Sequence, residues 1–260
     1  MRVESTEAIV LRCRPFRETS TLADLLSRDR GLIRVVARGN LRPRSSLHGR
    51  LRVFSRGQAE YLPGRGNGDL FLLRSFQPHP GSERTLASLE DAALLYYCGE
   101  LVSAASGGAE EGGRLFALFE SLLQCTVSQA TPREAGLWFE LNWLASLGLL
   151  PSLDRCTDCQ APLSGPAFSP TGAEGLFCRR CRPRAGGQVI NAGVLSVLRR
   201  LTGTPPSRIT SLRISPAQAA AARRLARSLI DTAIGKPIQS RRFFDSTLAR
   251  GSRAGKREAL

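Results

Sequence analysis

Four cysteines carry the spacing of a metal site: Cys156-x-x-Cys159, eighteen intervening residues, then Cys178-x-x-Cys181. A two-residue spacer lets both thiolates of a pair face one ion. Two such pairs close a tetrahedron of sulfur, the donor set that suits zinc. Four thiolates leave no open coordination position, so the expected cofactor is one structural Zn2+ with no water to activate. A redox dithiol would need a thioredoxin-like strand and helix, and neither pair has that setting. Residues 151–187 are rich in Cys, Pro and Gly and lack periodicity. They read as a zinc-binding insertion, ordered by metal rather than by a core of its own.

Arginine is the second chemical resource. The chain holds 37 Lys+Arg against 22 Asp+Glu, a formal charge of +15, and only Lys236 and Lys256 are lysine. Guanidinium forks pair with phosphates and stack on bases. The charge is segregated: net +8 over residues 1–80, −6 over 81–150, +2 over 151–185 and +11 over 186–260. Two basic blocks flanking an acidic middle predict a polyanionic partner. In the first block Arg34, Arg38, Arg42, Arg44, Arg50, Arg52 and Arg56 are the candidate nucleic-acid contacts. Phe54, Tyr61 and Phe71 are a thin aromatic complement, and Phe54 reads better as core than as a base stacker. In the second block, basic residues beside apolar ones around Arg241-Arg242-Phe243-Phe244 suit an acidic, apolar-tipped peptide. Arg223, Arg227 and Arg242 are its candidates on charge alone.

The elements that must position these residues are legible in outline. Residues 1–80 read as five strands: Thr6–Arg12, Thr19–Ser27, Leu32–Arg38, Arg50–Leu62 with Gly57 as a bulge, and Asp69–Phe76. A long basic loop separates the third from the fourth, and Pro63–Gly68 joins the last two. Five short strands with one long connection fit an OB-type barrel, with an SH3-like barrel as the near alternative. Residues 81–150 read as three helices. Leu86 to Leu101 are at helical spacing, Gly107-Gly108 breaks the run, and Thr131-Pro132-Arg133-Glu134 is a capping box. Residues 188–246 are again helical and are expected to pack with 81–150. Asn191 and Ser215 are N-caps, and Gly235 is a C-cap before Pro237. Residues 247–260 read as a disordered basic tail. The fold class is α+β and multidomain: an N-terminal OB barrel, then an all-α domain with an inserted four-cysteine zinc finger.

The order of parts resembles the RecO family of bacterial DNA repair proteins. Glu7–Gly39 (EAIVLRCRPFRETSTLADLLSRDRGLIRVVARG) and Asn40–Leu62 (NLRPRSSLHGRLRVFSRGQAEYL) look like that family's N-terminal domain. The helices, the double CxxC and Gly235–Phe244 (GKPIQSRRFF) follow in family order, to about residue 246. The zinc motif is not general to the family and does not carry the resemblance. The resemblance implies an OB-fold and a non-enzymatic mediator of homologous recombination. Such a mediator binds single- and double-stranded DNA, anneals complementary strands, and contacts the single-strand-binding protein (SSB) through its acidic C-terminal tail. With RecR it helps load RecA on SSB-coated strands. By position, Arg34, Arg38, Arg42 and Arg44 fall in the family's basic strand and loop.

Other classes are disfavoured. There is no G-x-x-x-x-G-K-[ST], and the loop Gly64–Asp69 joins two strands, a weak phosphate signal. The two histidines, His48 and His79, lack acids at the spacing of zinc enzymes. No apolar stretch reaches a membrane span, and the N-terminus reads as something other than a signal peptide. The expected location is cytoplasmic, at the nucleoid. An RNA-binding OB and zinc-ribbon factor is the alternative with equally basic parts.

Overall fold

The computed structural model describes residues 2–62, 70–82, 88–105, 109–125, 130–170, 175–182 and 187–257. The Pro63–Gly68 loop, Leu86 and Gly107-Gly108 lie outside the described residues. The chain divides into two compact units, residues 1–123 and 124–260. The boundary falls inside the helical stretch 81–150.

In the first unit, β1 (Glu4–Phe16), β2 (Ser20–Ser27), β3 (Gly31–Ala37), β4 (Arg56–Leu62) and β5 (Leu70–Pro78) close a barrel in the order β1-β2-β3-β5-β4. Pairing is antiparallel except between β3 and β5, where Arg34 faces Leu70 and Val36 faces Leu72 in parallel. This is the five-stranded Greek-key barrel of an OB-fold. Alternate residues point inward, as the period-2 geometry of a strand requires. Ala8 and Val10, Ala23 and Leu25, and Ile33, Val35 and Ala37 fill the interior with Tyr61 and Phe76. The run Ala8-Ile9-Val10-Leu11 does not alternate in polarity because β1 is buried on both faces.

Helices α1 (Leu89–Ala104) and α2 (Ala109–Cys125) complete this unit. Gly99 of α1 lies beside Leu11 and Phe54, together with Phe119 of α2. Arg28 lies over the Phe116 ring at 4.4 Å. A carboxylate–arginine cluster pins α2 to the barrel. Glu7 receives Arg28 at 2.7 Å and Arg56 at 3.1 Å, and Glu120 of α2 meets the same two arginines. Burial pushes the Glu7 carboxyl up. The hydrogen bond and charge of Arg28, then Arg56 and His79, outweigh burial and hold it below its ordinary value.

At the same contact a Cβ on Gly112 would fall on the backbone of Gly31. Gly112→Ala should therefore destabilise by about 1–3 kcal/mol. A solvent-facing helix position would instead gain about 1 kcal/mol from the same change. Denaturant unfolding checks the sign, with Gly113→Ala, whose Cβ would sit 3.3 Å from the Arg28 carbonyl, as the milder control.

Two strand expectations are corrected. The fourth strand begins at Arg56, not Arg50. Residues 39–55 form successive turns closed by Arg52 N–H to the Arg50 carbonyl and Ser55 N–H to the Arg52 carbonyl. Phe54 is held at φ 67, a left-handed conformation that ends extended backbone while its ring is buried against Tyr96 and Phe119. Gly57 is not a bulge. It pairs regularly with Pro78, and a Cβ there would strike the β5 backbone.

The second unit packs α3 (Pro132–Ser146), α4 (Ala192–Gly203), α5 (Pro216–Ile234) and α6 (Gln239–Arg257) beside a small hairpin, β6 (Ala167–Pro170) with β7 (Gly187–Ile190). Thr131 and Glu134 form a reciprocal capping box, as do Ser215 and Gln218. Asn191 caps α4, and Gly235 ends α5 at φ 64. Helix α6 runs past residue 246, where a disordered tail was expected to begin. Thr247 is buried and its hydroxyl donates to the Phe244 carbonyl, so the helix has a packed face to continue on.

Candidate nucleic-acid cleft and metal knuckle

A cleft of about 830 Å³ opens on the side of the barrel. Its walls are the β1–β2 turn (Phe16, Arg17, Glu18, Thr19), the end of β3 with the residues after it (Val36, Arg38, Gly39, Arg42) and the start of β5 (Leu70). OB-folds hold oligonucleotides on this surface, across strands β2 and β3 between the first and last hairpin loops. The turn and the post-β3 loop are tied together. Leu41 N–H donates to the Thr19 carbonyl at 3.1 Å, and Gly39 N–H to the Ser20 hydroxyl at 3.1 Å. Gly39 adopts φ 64, which lets the chain turn and bring Arg42 over the cleft.

The seven candidate arginines separate by what they touch. Arg34 donates to Asp24 at 2.9 Å, and Arg56 is committed to Glu7 and Glu120. These two brace the barrel. Arg38 and Arg42 are exposed, line the cleft, and have no acidic partner among the described residues. Arg44, Arg50 and Arg52 lie exposed in the turns that follow. Arg50 and Arg52 therefore share no strand face with Arg56. The sequence reading overlooked Arg17, exposed at φ 56 in the turn and 5.5 Å from the Phe16 ring. The signal for it was an arginine in a two-strand turn beside an aromatic. Phe54 and Tyr61 are core, leaving Phe16 as the aromatic of the cleft.

In the second unit the sulfurs of Cys156, Cys159, Cys178 and Cys181 lie within 4.8 Å of one another, with Cys159 and Cys178 3.7 Å apart. A tetrahedron with ~2.3 Å metal–sulfur bonds has edges of about 3.8 Å. The four residues therefore fit a zinc ion. Two knuckles build the site. The first turns at Gln160, φ 57, whose N–H donates to the Cys156 carbonyl. The second sends the Cys178 N–H to the Cys156 sulfur at 3.4 Å. Burial raises the Cys156 thiol, but N–H groups of Cys159, Cys178 and Asp158 outweigh it and bring it down to about 6. Donation to Cys159, with burial, pushes Cys181 up to about 12. Four thiols this close cannot all ionise without a cation among them.

The three candidates for a partner's tail part company. Glu140 of α3 is fully buried, and Arg227 meets it at 3.2 Å and Arg223 at 3.6 Å. Arg227 also forks Asp245 of α6 at 2.7 and 2.8 Å. Arg223 and Arg227 are thus internal counter-ions, which corrects their reading as an open tail site. Arg242 is exposed beside Phe243, itself 45% exposed.

The barrel, its arginine-lined cleft and the cysteine cluster define the class: an OB-fold protein carrying a four-cysteine cluster that fits a metal ion. Comparison with known proteins narrows it. The model "Recombination protein O N terminal" matches residues 1–79, and "Recombination protein O C terminal" matches 86–242. A DNA repair protein RecO of Pelotomaculum thermopropionicum is 30% identical over 246 residues, covering 94% of each chain. One of Desulforudis audaxviator is 36% identical over 224 residues, covering 84% of this chain and 86% of that one. One of Anaeromyxobacter sp. strain K is 30% identical over 247 residues, covering 94% and 96%. The chain belongs to the RecO family of DNA repair proteins. Among the described residues no helix is long and apolar enough to cross a membrane.

Proposed function

We propose that the protein is a non-enzymatic mediator of recombinational repair. It binds single- and double-stranded DNA through the barrel cleft and anneals complementary strands. With RecR it helps load RecA on SSB-coated DNA, in the cytoplasm at the nucleoid. The observation that carries this reading is the pair Arg38 and Arg42, free of acids among the described residues and facing the ligand surface of an OB-fold. Arg44, Arg50 and Arg52 extend the basic surface from the same loop. Few aromatic rings reach the cleft, which favours a grip on phosphates over the reading of bases.

The metal is proposed to be one structural Zn2+ held by Cys156, Cys159, Cys178 and Cys181. Exposed Arg242 and Phe243 suit the acidic, apolar-tipped tail of SSB.

The test is the triple variant Arg38→Ala, Arg42→Ala, Arg44→Ala. Single-strand affinity should fall at least tenfold for every base sequence alike. The slope of log K against log salt should flatten by about 2, for three lost contacts at ~0.7 each. An unchanged affinity and slope would remove the cleft from the function. Preference for RNA over single-stranded DNA of equal length would instead favour an RNA-binding role.

A further inference from the structure

The small sheet of the metal knuckle has a face that the barrel-centred function does not use. Phe168 sits directly opposite Val189 in the β6–β7 ladder and opposite Phe177 in a bridge closed by two 2.9 Å backbone hydrogen bonds. Directly paired residues project on the same side of a sheet. Phe177, Phe168 and Val189 therefore form a row across the β6–β7 hairpin and the segment bridged to it. Phe168 and Phe177 are half-buried, and Val189 is 57% exposed. The Arg182 guanidinium lies over the Phe168 ring at 4.6 Å. Arg179 and Arg182 are exposed and have no acidic partner among the described residues. Arg180 is drawn to the sulfurs, its guanidinium held charged by Cys159 and Cys181.

A row of apolar rings edged by unpaired arginines is the form of a single-strand platform. Bases have π-faces that rest on such rings, and phosphates follow the guanidinium groups. A flat guanidinium over an aromatic ring also presents its remaining donors outward in a fixed plane. Among the described residues lining the recess beside the row, Arg182 is the one charged side chain, and the row sits beside the four-cysteine cluster. An uncharged apolar protein surface would not call for acid-free arginines at the rim.

We propose that the Phe177–Phe168–Val189 row, with Arg182 and Arg179, is a second contact for single-stranded nucleic acid. An unstacked base lies against the row, and the flanking phosphates meet the two arginines. The proposal rests on the strand-annealing reading above and gives it a physical basis. The barrel in one unit and the knuckle in the other each hold a strand.

The test uses the full-length, metal-loaded protein and an oligo-deoxythymidine carrying 5-iodouracil, which cross-links to aromatic rings on irradiation. Cross-links are expected in two peptides, one containing Phe16 and one containing Phe168. Cross-links confined to the barrel peptide would overturn the platform while leaving the barrel reading intact. No binding at all would overturn the proposed function instead. A second arm is the variant Arg179→Ala, Arg182→Ala, with metal content and thermal midpoint checked against the parent. It should lose at least fivefold in the rate of pairing two complementary strands and under threefold in the affinity of the first strand bound. Equal, unchanged values in both would again sink the platform. Arg182→Lys keeps the charge but not the stacked plane, and should recover only part of the pairing rate. Full recovery would mean a diffuse charge effect in place of a built site.

Discussion

Removing the metal is expected to melt the knuckle and leave the barrel standing. Among the described residues of 153–190, the buried apolar side chains are six: Leu153, Leu163, Leu176 and Ile190, with Ala167 and Cys156. That is a thin core for so long a segment. A four-thiolate zinc site supplies on the order of 10 kcal/mol toward ordering it. Cys156→Ser is the sharpest single change, because Cys156 is fully buried and its sulfur also accepts the Cys178 N–H. The expected results are one zinc per chain in the parent, and loss of amide protection at Phe168 and Phe177 in the variant or after chelation. Trypsin should then cut after Arg179 and Arg180. Barrel amides such as those of β1 and β3 should keep their protection, since they belong to the other compact unit. A knuckle equally protected with and without metal would mean that its anchoring to α4 suffices. That anchoring is real but small: Arg199 donates to the Leu153 carbonyl at 2.7 Å and the Leu163 carbonyl at 3.0 Å.

What could be read from the sequence was whatever depends on neighbours in the chain. The capping boxes at Thr131 and Ser215, the αL glycine at 235 and the two CxxC knuckles are local devices, and they appear where their spacing put them. The barrel was legible because alternation and turns are also local, and its interior row from Ile33 to Ala37 follows directly. The failures over partners are long-range. Arg56 looked like one more cation on a basic strand, but its partner Glu120 lies on a helix beyond the barrel. Arg223 and Arg227 looked free because Glu140 read as one acid among many in an acidic stretch. Its place on the apolar stripe of α3, three residues after Leu137 and four before Leu144, was the signal that it is buried. The fourth strand was begun six residues early because Arg50–Ser55 has strand-like composition. What ends it is a buried ring on a left-handed residue, Phe54. Charge thus marked two basic regions and misassigned individual arginines within them, since sequence gives a charge its sign but not its partner.

The same point yields the largest substitution effect expected outside the knuckle. Glu140 is a carboxylate with no solvent, held by Arg227 at 3.2 Å and Arg223 at 3.6 Å. Removing one member of such a set leaves the others charged and buried, which costs about 3–5 kcal/mol. Glu140→Ala should therefore lower the unfolding free energy of the second unit by that amount, read as a shift of its denaturant midpoint at constant slope. Asp245 contacts the same Arg227 at shorter range, 2.7 Å, yet its side chain is 43% exposed. Distance alone would rank Asp245 first. Exposure reverses the order, because a solvated pair is screened and contributes under about 1 kcal/mol. Asp245→Asn should be nearly silent. Replacing the buried partners together, Glu140→Leu with Arg223→Met and Arg227→Met, removes the stranded charges and should recover part of the loss. If Asp245→Asn proves the more costly change, the network is held from the α6 surface rather than from the α3 core, and Glu140 is a passenger in it.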